Sequence, residues 1–411
     1  FALMISVDKF SLFLYEQLCK PLSLYDAGFF PSFSTKVENF MYSQHSNDFY
    51  GSTVGRCVWW HEEPINYYDL DQIRYFDAFH THVIDPGHPT ENYIWPSSPS
   101  HPSVSMMIAD TNFHIFANSE ISKQKRKYLS EWGVYDWYFF FHGFAALDWF
   151  RNYKYLDCSH KVPTKLFICL NHLLTNNRSY RLYLLSCLKQ SNLDKLGHIS
   201  APLLESNLVN NELLNRDSRL SVDAKKHIYK NLMKQAVPKT LDEVNYNGAS
   251  ADLSPYGYDA LWHVVTETVY YDHSLHLTEK IFKPIVSKRP FILVGAPGNL
   301  AYLKRYGFKT FDRWIDESYD NETDPTKRID MITTQLEALS EIDLPTQQKE
   351  MQEVLEYNHQ HFYGKFREII VDELLGNFKK QVNWYNHDRI ERHRLPSDVI
   401  NFEQVRNLML S

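Results

Sequence analysis

No C-x-x-C pair occurs in this chain, and its five cysteines (Cys19, Cys57, Cys158, Cys169, Cys187) are scattered and odd in number. That pattern excludes a disulfide frame or a thiolate zinc site and predicts free thiols in a reducing compartment. Also missing is any run of about 18 apolar residues, so no membrane partner or spanning helix is expected. The first twenty residues, FALMISVDKFSLFLYEQLCK, place Asp8, Lys9 and Glu16 among apolar positions and do not read as a secretory leader. There is no internal repeat and no low-complexity tract. Nor is there an excess of positive charge: 43 Lys and Arg stand against 50 Asp and Glu, a net charge of −7. No global basic field therefore advertises nucleic acid, although a local basic face stays open. The expectation is a soluble, cytoplasmic protein.

What is present fits a folded α/β chain. At 411 residues it exceeds one ordinary core, and 44% hydrophobic with 23% charged residues is the balance of a globule. Aromatics reach 15%, with 27 Tyr and 26 Phe, which suits either a stacking cleft or plain core filling. Apolar strand-like runs alternate with helical patterns, the mark of parallel α/β domains. GRCVWW (55–60), FHIFAN (113–118), KLFICLN (165–171), DALWHVVTET (259–268) and RPFILVG (289–295) read as strands, and RLYLLSCLKQ (181–190) as a helix. The link between the two series falls near 157–163. Beyond it, Phe362, Phe366, Ile369 or Ile370, Leu374 and Phe378 recur at helical spacing, predicting one long amphipathic helix that can pack back on the first domain. The predicted domains are 1–157, 158–355 and a helical segment 356–411.

One stretch carries chemistry: HLTEKIFKPIVSKRPFILVGAPG (276–298). Thr278 is placed to cap a helix start, whose free N–H groups and dipole favour an anion. Lys280 sets an ammonium against that dipole, a conflict that a bound diphosphate resolves. Glu279 can then accept from hydroxyls of a group attached to the diphosphate. A plain surface Glu–Lys pair at a helix start also fits. Pro284 forbids an ordinary helix through Glu279, so the helix either begins near Phe282 or is kinked. Elsewhere, Glu267 lies upstream of Thr278, and Arg181 stands at a strand–loop–helix junction of the kind that binds phosphates. Glu62 and Glu63 follow a first-domain strand, where a carboxylate can act as a general base.

Together these segments resemble a known family. Glu267 followed after ten residues by Thr278-Glu279-Lys280, and then Pro290-x-x-x-x-Gly295, is similar to the donor-binding segment of the α1,3/1,4-fucosyltransferases and their viral and bacterial relatives. Asn171, Arg181 and Leu188 resemble that family's diphosphate-binding arginine segment, and HEEPI (61–65) its first-domain E-x-P element. The likeness spans 59–85 and 165–307, about two-fifths of the chain, and the wording also resembles glycosyltransferase-like proteins of bacteriophages and marine viruses.

The resemblance implies a GT-B fold: two Rossmann-like domains facing a cleft, with a C-terminal helix crossing back to the first domain. It implies a nucleotide-diphosphate sugar as co-substrate, no other cofactor and no metal. Lys280 and Arg181 would neutralise the diphosphate, and Glu279 would hold sugar hydroxyls. Asn171, in the arginine segment, and Thr278, in the Thr-Glu-Lys segment, would also be donor-binding, with Glu267 near the ribose or sugar. Glu62, or Glu63, would take the acceptor proton in an inverting transfer. The acceptor would be a glycan or a hydroxymethylated base of viral DNA, and the compartment the host cytoplasm if the chain is viral. A catalytically inactive sugar-nucleotide or glycan-binding module is the alternative. Fucose specificity does not carry over, because the segments around 256–259 and 270–276 differ from the family's.

Other constellations weigh less. His80, His82, Asp85 and His88 mimic a metal cluster, but a polar loop after a strand fits as well. Asp69-Leu-Asp71 is too short a D-x-D match to use, and Lys123–Lys127 reads as a solvated helix face. FFFHGFAALDWF (139–150) reads as core, with His142 and Gly143 at a strand end.

Overall fold

A computed structural model describes residues 56–58, 78–83, 114–119, 134–136, 140–150, 158–171, 174, 178–201, 214, 217–232, 257, 259–271, 275–387 and 401–410, the first four stretches by backbone. The chain is α/β and divides into two compact units: Phe1–Asp148 with Arg367–Ser411, and Trp149–Phe366.

In the first unit β1 (Arg56–Val58), β2 (Ala78–Val83), β3 (His114–Ser119) and β4 (Val134–Asp136) form a parallel sheet in the order β1-β2-β3-β4. Phe79 lies opposite Cys57 on one side and Ile115 on the other. The segment with His80 and His82, expected as a polar loop, is itself strand β2. A second expectation is corrected beside it: His142 and Gly143 lie not at a strand end but in helix α1 (Phe141–Trp149). That segment has no β-branched residue, and its Ala and Leu lose little in a helix.

The second unit holds β5 (Lys165–Leu170), α2 (Tyr180–Gln190), β6 (Gly197–Ser200), α3 (Val222–Asn231), β7 (Ala260–Thr266), α4 (Phe282–Val286), β8 (Phe291–Val294), α5 (Asn299–Arg305), α6 (Pro325–Ser340) and α7 (Leu344–Tyr363). Every residue of β7 and β8 is buried, as a parallel sheet covered on both faces requires. Helix starts follow their caps. Ser221 accepts from Ala224 N, Asp324 from Lys327 N with Pro325 next, and Asp343 from Thr346 N. The strand order is β6-β5-β7-β8, all parallel. From β5 the chain moves outward to β6, then returns across β5 to lay down β7. The carboxyl ends of β5 and β7 therefore flank a topological switch point, where open α/β sheets bind ligands.

The core of this unit is aromatic. Trp262 is fully buried and donates to Gln347 Oε1 at 2.8 Å, which ties β7 to α7. Phe282 packs within 5.3–5.8 Å of Phe308, Phe362 and Phe366. Beside them, Asn358 clamps the Lys309 backbone from both sides, accepting from its N–H and donating to its carbonyl, each at 2.8 Å. Gly307 makes the turn into this clamp with φ +91°, and a Cβ there would lie 2.7 Å from His361 Nε2. That nitrogen pairs with Tyr306 O at 2.7 Å, so it cannot retreat cheaply. Gly307→Ala is expected to cost roughly 2–4 kcal/mol, combining a left-handed backbone with the contact. Urea midpoints of the two proteins check it, and a loss under about half a kcal/mol speaks against this account.

The long C-terminal helix expected from Phe362 to Phe378 is broken. Helix α7 ends at Tyr363, Gly364 takes a non-helical ψ of −102°, and α8 (Lys365–His387) starts afresh. A Cβ at Gly364 would lie 3.0 Å from Gln360 O, so a larger residue there presses on the end of α7. Helix α9 (Phe402–Leu410) returns along α8. Arg406 grips Asp372 at 2.6 and 3.2 Å, and Arg367 Nη2 donates to Met409 O at 2.9 Å.

Candidate functional site

The switch point is joined by side chains. At the end of β7, Thr266 Oγ1 donates to Asn171 Oδ1 at 2.9 Å, just past the end of β5. Asn171 donates in turn to Cys169 Sγ at 3.3 Å, and its backbone N–H reaches Ser200 O at 3.0 Å. Burial pushes the Cys169 thiol up to about 11, so it is no thiolate nucleophile.

Arg181 enters from the first turn of α2. It is buried, and its Nη2 donates to Thr266 O at 3.0 Å and Glu267 O at 3.2 Å. Its Nε donates to Tyr180 Oη at 3.3 Å, while that hydroxyl donates to Glu267 O at 2.5 Å. One guanidinium and one phenol thus fix the carbonyls that close β7.

Glu267 is fully buried. Its backbone N–H continues the ladder to Val294 O at 2.9 Å. Its carboxylate accepts twice from Thr278, from the backbone N–H at 3.1 Å and from Oγ1 at 2.6 Å. The chain passes close by at Gly295, where a Cβ would sit 3.2 Å from Asn299 Nδ2 and 3.6 Å from Glu267 Cβ. Asn299 Oδ1 accepts from His276 N at 2.9 Å, seating the segment that leads into Thr278.

Thr278 caps a 3-10 turn, Glu279–Ile281, and α4 begins at Phe282, the first of the two arrangements Pro284 allowed. Lys280 Nζ donates to Thr278 Oγ1 at 3.1 Å and to Glu279 Oε1 at 3.0 Å. Burial opposes the ammonium charge, but Glu279 and then Glu267 outweigh it and hold Lys280 above its ordinary range. Burial likewise works against the Glu279 carboxylate, and Lys280 more than offsets it, leaving that group below the usual carboxyl range. Arg181 acts against Lys280, which places both cations in one field. The Lys280 side chain is 37% exposed and that of Glu279 13%, so Lys280 is the more open of the pair.

Asn171, Arg181, Glu267, Thr278, Glu279 and Lys280 therefore form one hydrogen-bonded cluster. Glu62 and Glu63 lie outside the described residues, as do Asp69, Asp71, Asp85, His88 and Lys123–Lys127. Sequence reasoning passed over Tyr180, Thr266 and Asn299. Tyr180 adjoins Arg181 at the helix start and Thr266 adjoins Glu267, but nothing in the sequence pattern marks Asn299.

A second polar group lies between α2, α3 and α6. Ser186 Oγ meets His227 Nδ1 at 2.9 Å, and Asp330 accepts from Tyr183 Oη at 2.9 Å. It holds Ser, His and Asp, yet His227 Nε2 bonds to Gln190 rather than to a carboxylate, so it lacks the relay a nucleophilic serine needs. Among the described residues no group of three or more His, Cys, Asp and Glu could hold a metal ion, and no helix is long and apolar enough to cross a membrane. The chain matches no protein-family model and no curated protein.

Proposed function

We propose that this chain is a glycosyltransferase of the GT-B type, moving a sugar from a nucleotide-diphosphate sugar to a hydroxyl acceptor with inversion. The observation that carries the reading is the position of Lys280. It is a partly open ammonium, held by Thr278 and Glu279 and linked through Thr278 and Glu267 to Arg181, at the switch point of a parallel sheet. The second unit binds the donor and the first unit, which includes the C-terminal helices of 367–411, presents the acceptor. Lys280 contacts the diphosphate directly, and Arg181 adds its field from behind. As the sugar–oxygen bond breaks, these charges stabilise the departing diphosphate, the part a metal plays elsewhere. Glu279 orients sugar hydroxyls, and Glu62 or Glu63 removes the acceptor proton. The acceptor is a glycan or a hydroxymethylated base of viral DNA.

One observation favours the second reading, an inactive sugar-nucleotide-binding module. Glu267 spends both oxygens on Thr278, and Arg181 spends Nη2 on backbone carbonyls, which suits holding more than chemistry. Turnover of a panel of nucleotide sugars by the wild type and by Glu62→Gln and Glu63→Gln separates the two. Turnover that survives both substitutions overturns the base assignment.

The donor site has its own test. Lys280→Ala is expected to weaken binding of nucleoside diphosphates about 10- to 150-fold, the equivalent of one charge-assisted contact of roughly 1.5–3 kcal/mol. Titration calorimetry measures it, and unchanged affinity refutes the phosphate role of Lys280.

A further inference from the structure

Behind the cluster lies an arginine that nothing above uses. Arg328, in the first turns of α6, is 1% exposed. Its Nη2 donates to Tyr270 O at 3.0 Å, and its guanidinium carbon lies 4.2 Å from the Tyr270 ring centroid. Its Nε and Nη1 have no hydrogen-bond partner among the described residues. Its charge also acts on the Asp320 carboxylate, but a buried arginine with two nitrogens unbonded does little for stability, and an apolar residue of its size often serves the fold as well. What Arg328 does grip is one tyrosine, by its carbonyl and by its face.

That tyrosine leads to the site. The Tyr270 ring stacks on Tyr180, with centroids 3.9 Å apart and planes 12° from parallel. The Tyr180 face is thus occupied, so the guanidinium of Arg328 lies on the other face of Tyr270. Tyr270 Oη is anchored on Pro325 O at 2.5 Å, at the start of the helix that carries Arg328. Tyr180 delivers its hydroxyl to Glu267 O and receives Arg181 Nε. The column Arg328–Tyr270–Tyr180 therefore ends on the two groups that close β7 and set the Glu267 carboxylate under Thr278 and Lys280.

We infer that Arg328 is a positioning residue for the anion site: through the Tyr270–Tyr180 stack it fixes the Tyr180 hydroxyl, and with it Arg181 and Glu267. The effect on ligand affinity rests on the nucleotide-diphosphate reading; the effect on Arg181 does not.

The experiment has two arms. In the ligand-free protein, the Arg181 Nε–H resonance, identified by its loss in Arg181→Lys, reports the bond to Tyr180. Arg328→Met and Tyr180→Phe are each expected to shift it in the same direction, and Arg328→Lys to restore part of the shift. In the second arm, calorimetry with guanosine and uridine diphosphates is expected to show about tenfold weaker binding for Arg328→Met, the scale of one lost stacking contact. The Arg328→Met/Tyr180→Phe pair is then no weaker than Tyr180→Phe alone, because both act through one hydroxyl. A folded Arg328→Met protein with an unmoved Arg181 signal overturns the proposal, as do affinity losses that multiply in the pair. A shifted signal in a protein that binds no diphosphate sinks the ligand reading and leaves the positioning role standing. Should Arg328→Met not fold, Tyr270→Leu breaks the same stack and must move the same signal.

Discussion

Glu267→Ala is expected to lower stability by roughly 3–5 kcal/mol and, on the function proposed above, to abolish nucleoside diphosphate binding, the largest effect expected of any single change in the cluster. The carboxylate is fully buried and accepts both donors of Thr278. Removing it strands a buried N–H and a buried hydroxyl, each losing a charge-assisted bond, and opens a cavity beneath Gly295. It also removes the second of the two acids that sustain the Lys280 charge, so binding fails along with stability. Glu267→Gln is the sharper comparison. It keeps the volume and one acceptor but turns an amide N–H₂ toward a donor, and it should fall between wild type and alanine. Urea unfolding at neutral pH measures all three. An alanine variant within about 1 kcal/mol of wild type would show that the cluster does not depend on this carboxylate.

The second large effect is a response to acid. His263, in the middle of β7, is pushed down to about 3, first by burial and then by the charge of Arg289, with Lys283 adding to it. Its ordinary value is 6.5, so the unfolded chain takes up a proton that the folded chain refuses. The stability this contributes is complete above pH 6.5 and is lost as pH falls from there toward 3. The slope approaches about 1.4 kcal/mol per pH unit once the unfolded histidine is mostly protonated, so roughly 2 kcal/mol disappears between pH 6.5 and 4.5. Other groups titrate over the same interval, and the comparison with His263→Asn removes them. The variant should show a pH dependence flatter by about that slope, whatever its stability at pH 7. Parallel curves for the two proteins would refute the assignment. Since β7 carries Thr266 and leads into Glu267, acid should loosen the site together with the sheet.

Much of the second unit was legible before any coordinates. KLFICL, ALWHVVT and FILV are apolar runs of strand length, and each became a buried parallel strand. The start of α4 at Phe282 followed from Pro284, and the cap from Thr278. These are local signals, written within a few residues of the structure they make. The break at Gly364 was missed because hydrophobic spacing runs unchanged through it, from Phe362 to Phe366, both buried. The helix at Phe141–Trp149 was missed because a nearly all-apolar segment has no period to distinguish helix from strand.

The residue types of the site were also legible, but their partners were not. Sequence alone determined that a Thr-Glu-Lys turn would precede a short helix and that an arginine would open α2 after a strand, because caps, proline and apolar period act over one or two turns of chain. Only the tertiary structure decided the order β6-β5-β7-β8, which sets Asn171 beside Thr266 across 95 residues of sequence and Arg181 beside the Thr266 carbonyl across 85. The same packing turned the Glu267 carboxylate inward onto Thr278 and left Lys280 as the open cation. Such pairings depend on which strand lies next to which, and a pattern of local periods holds no record of that choice.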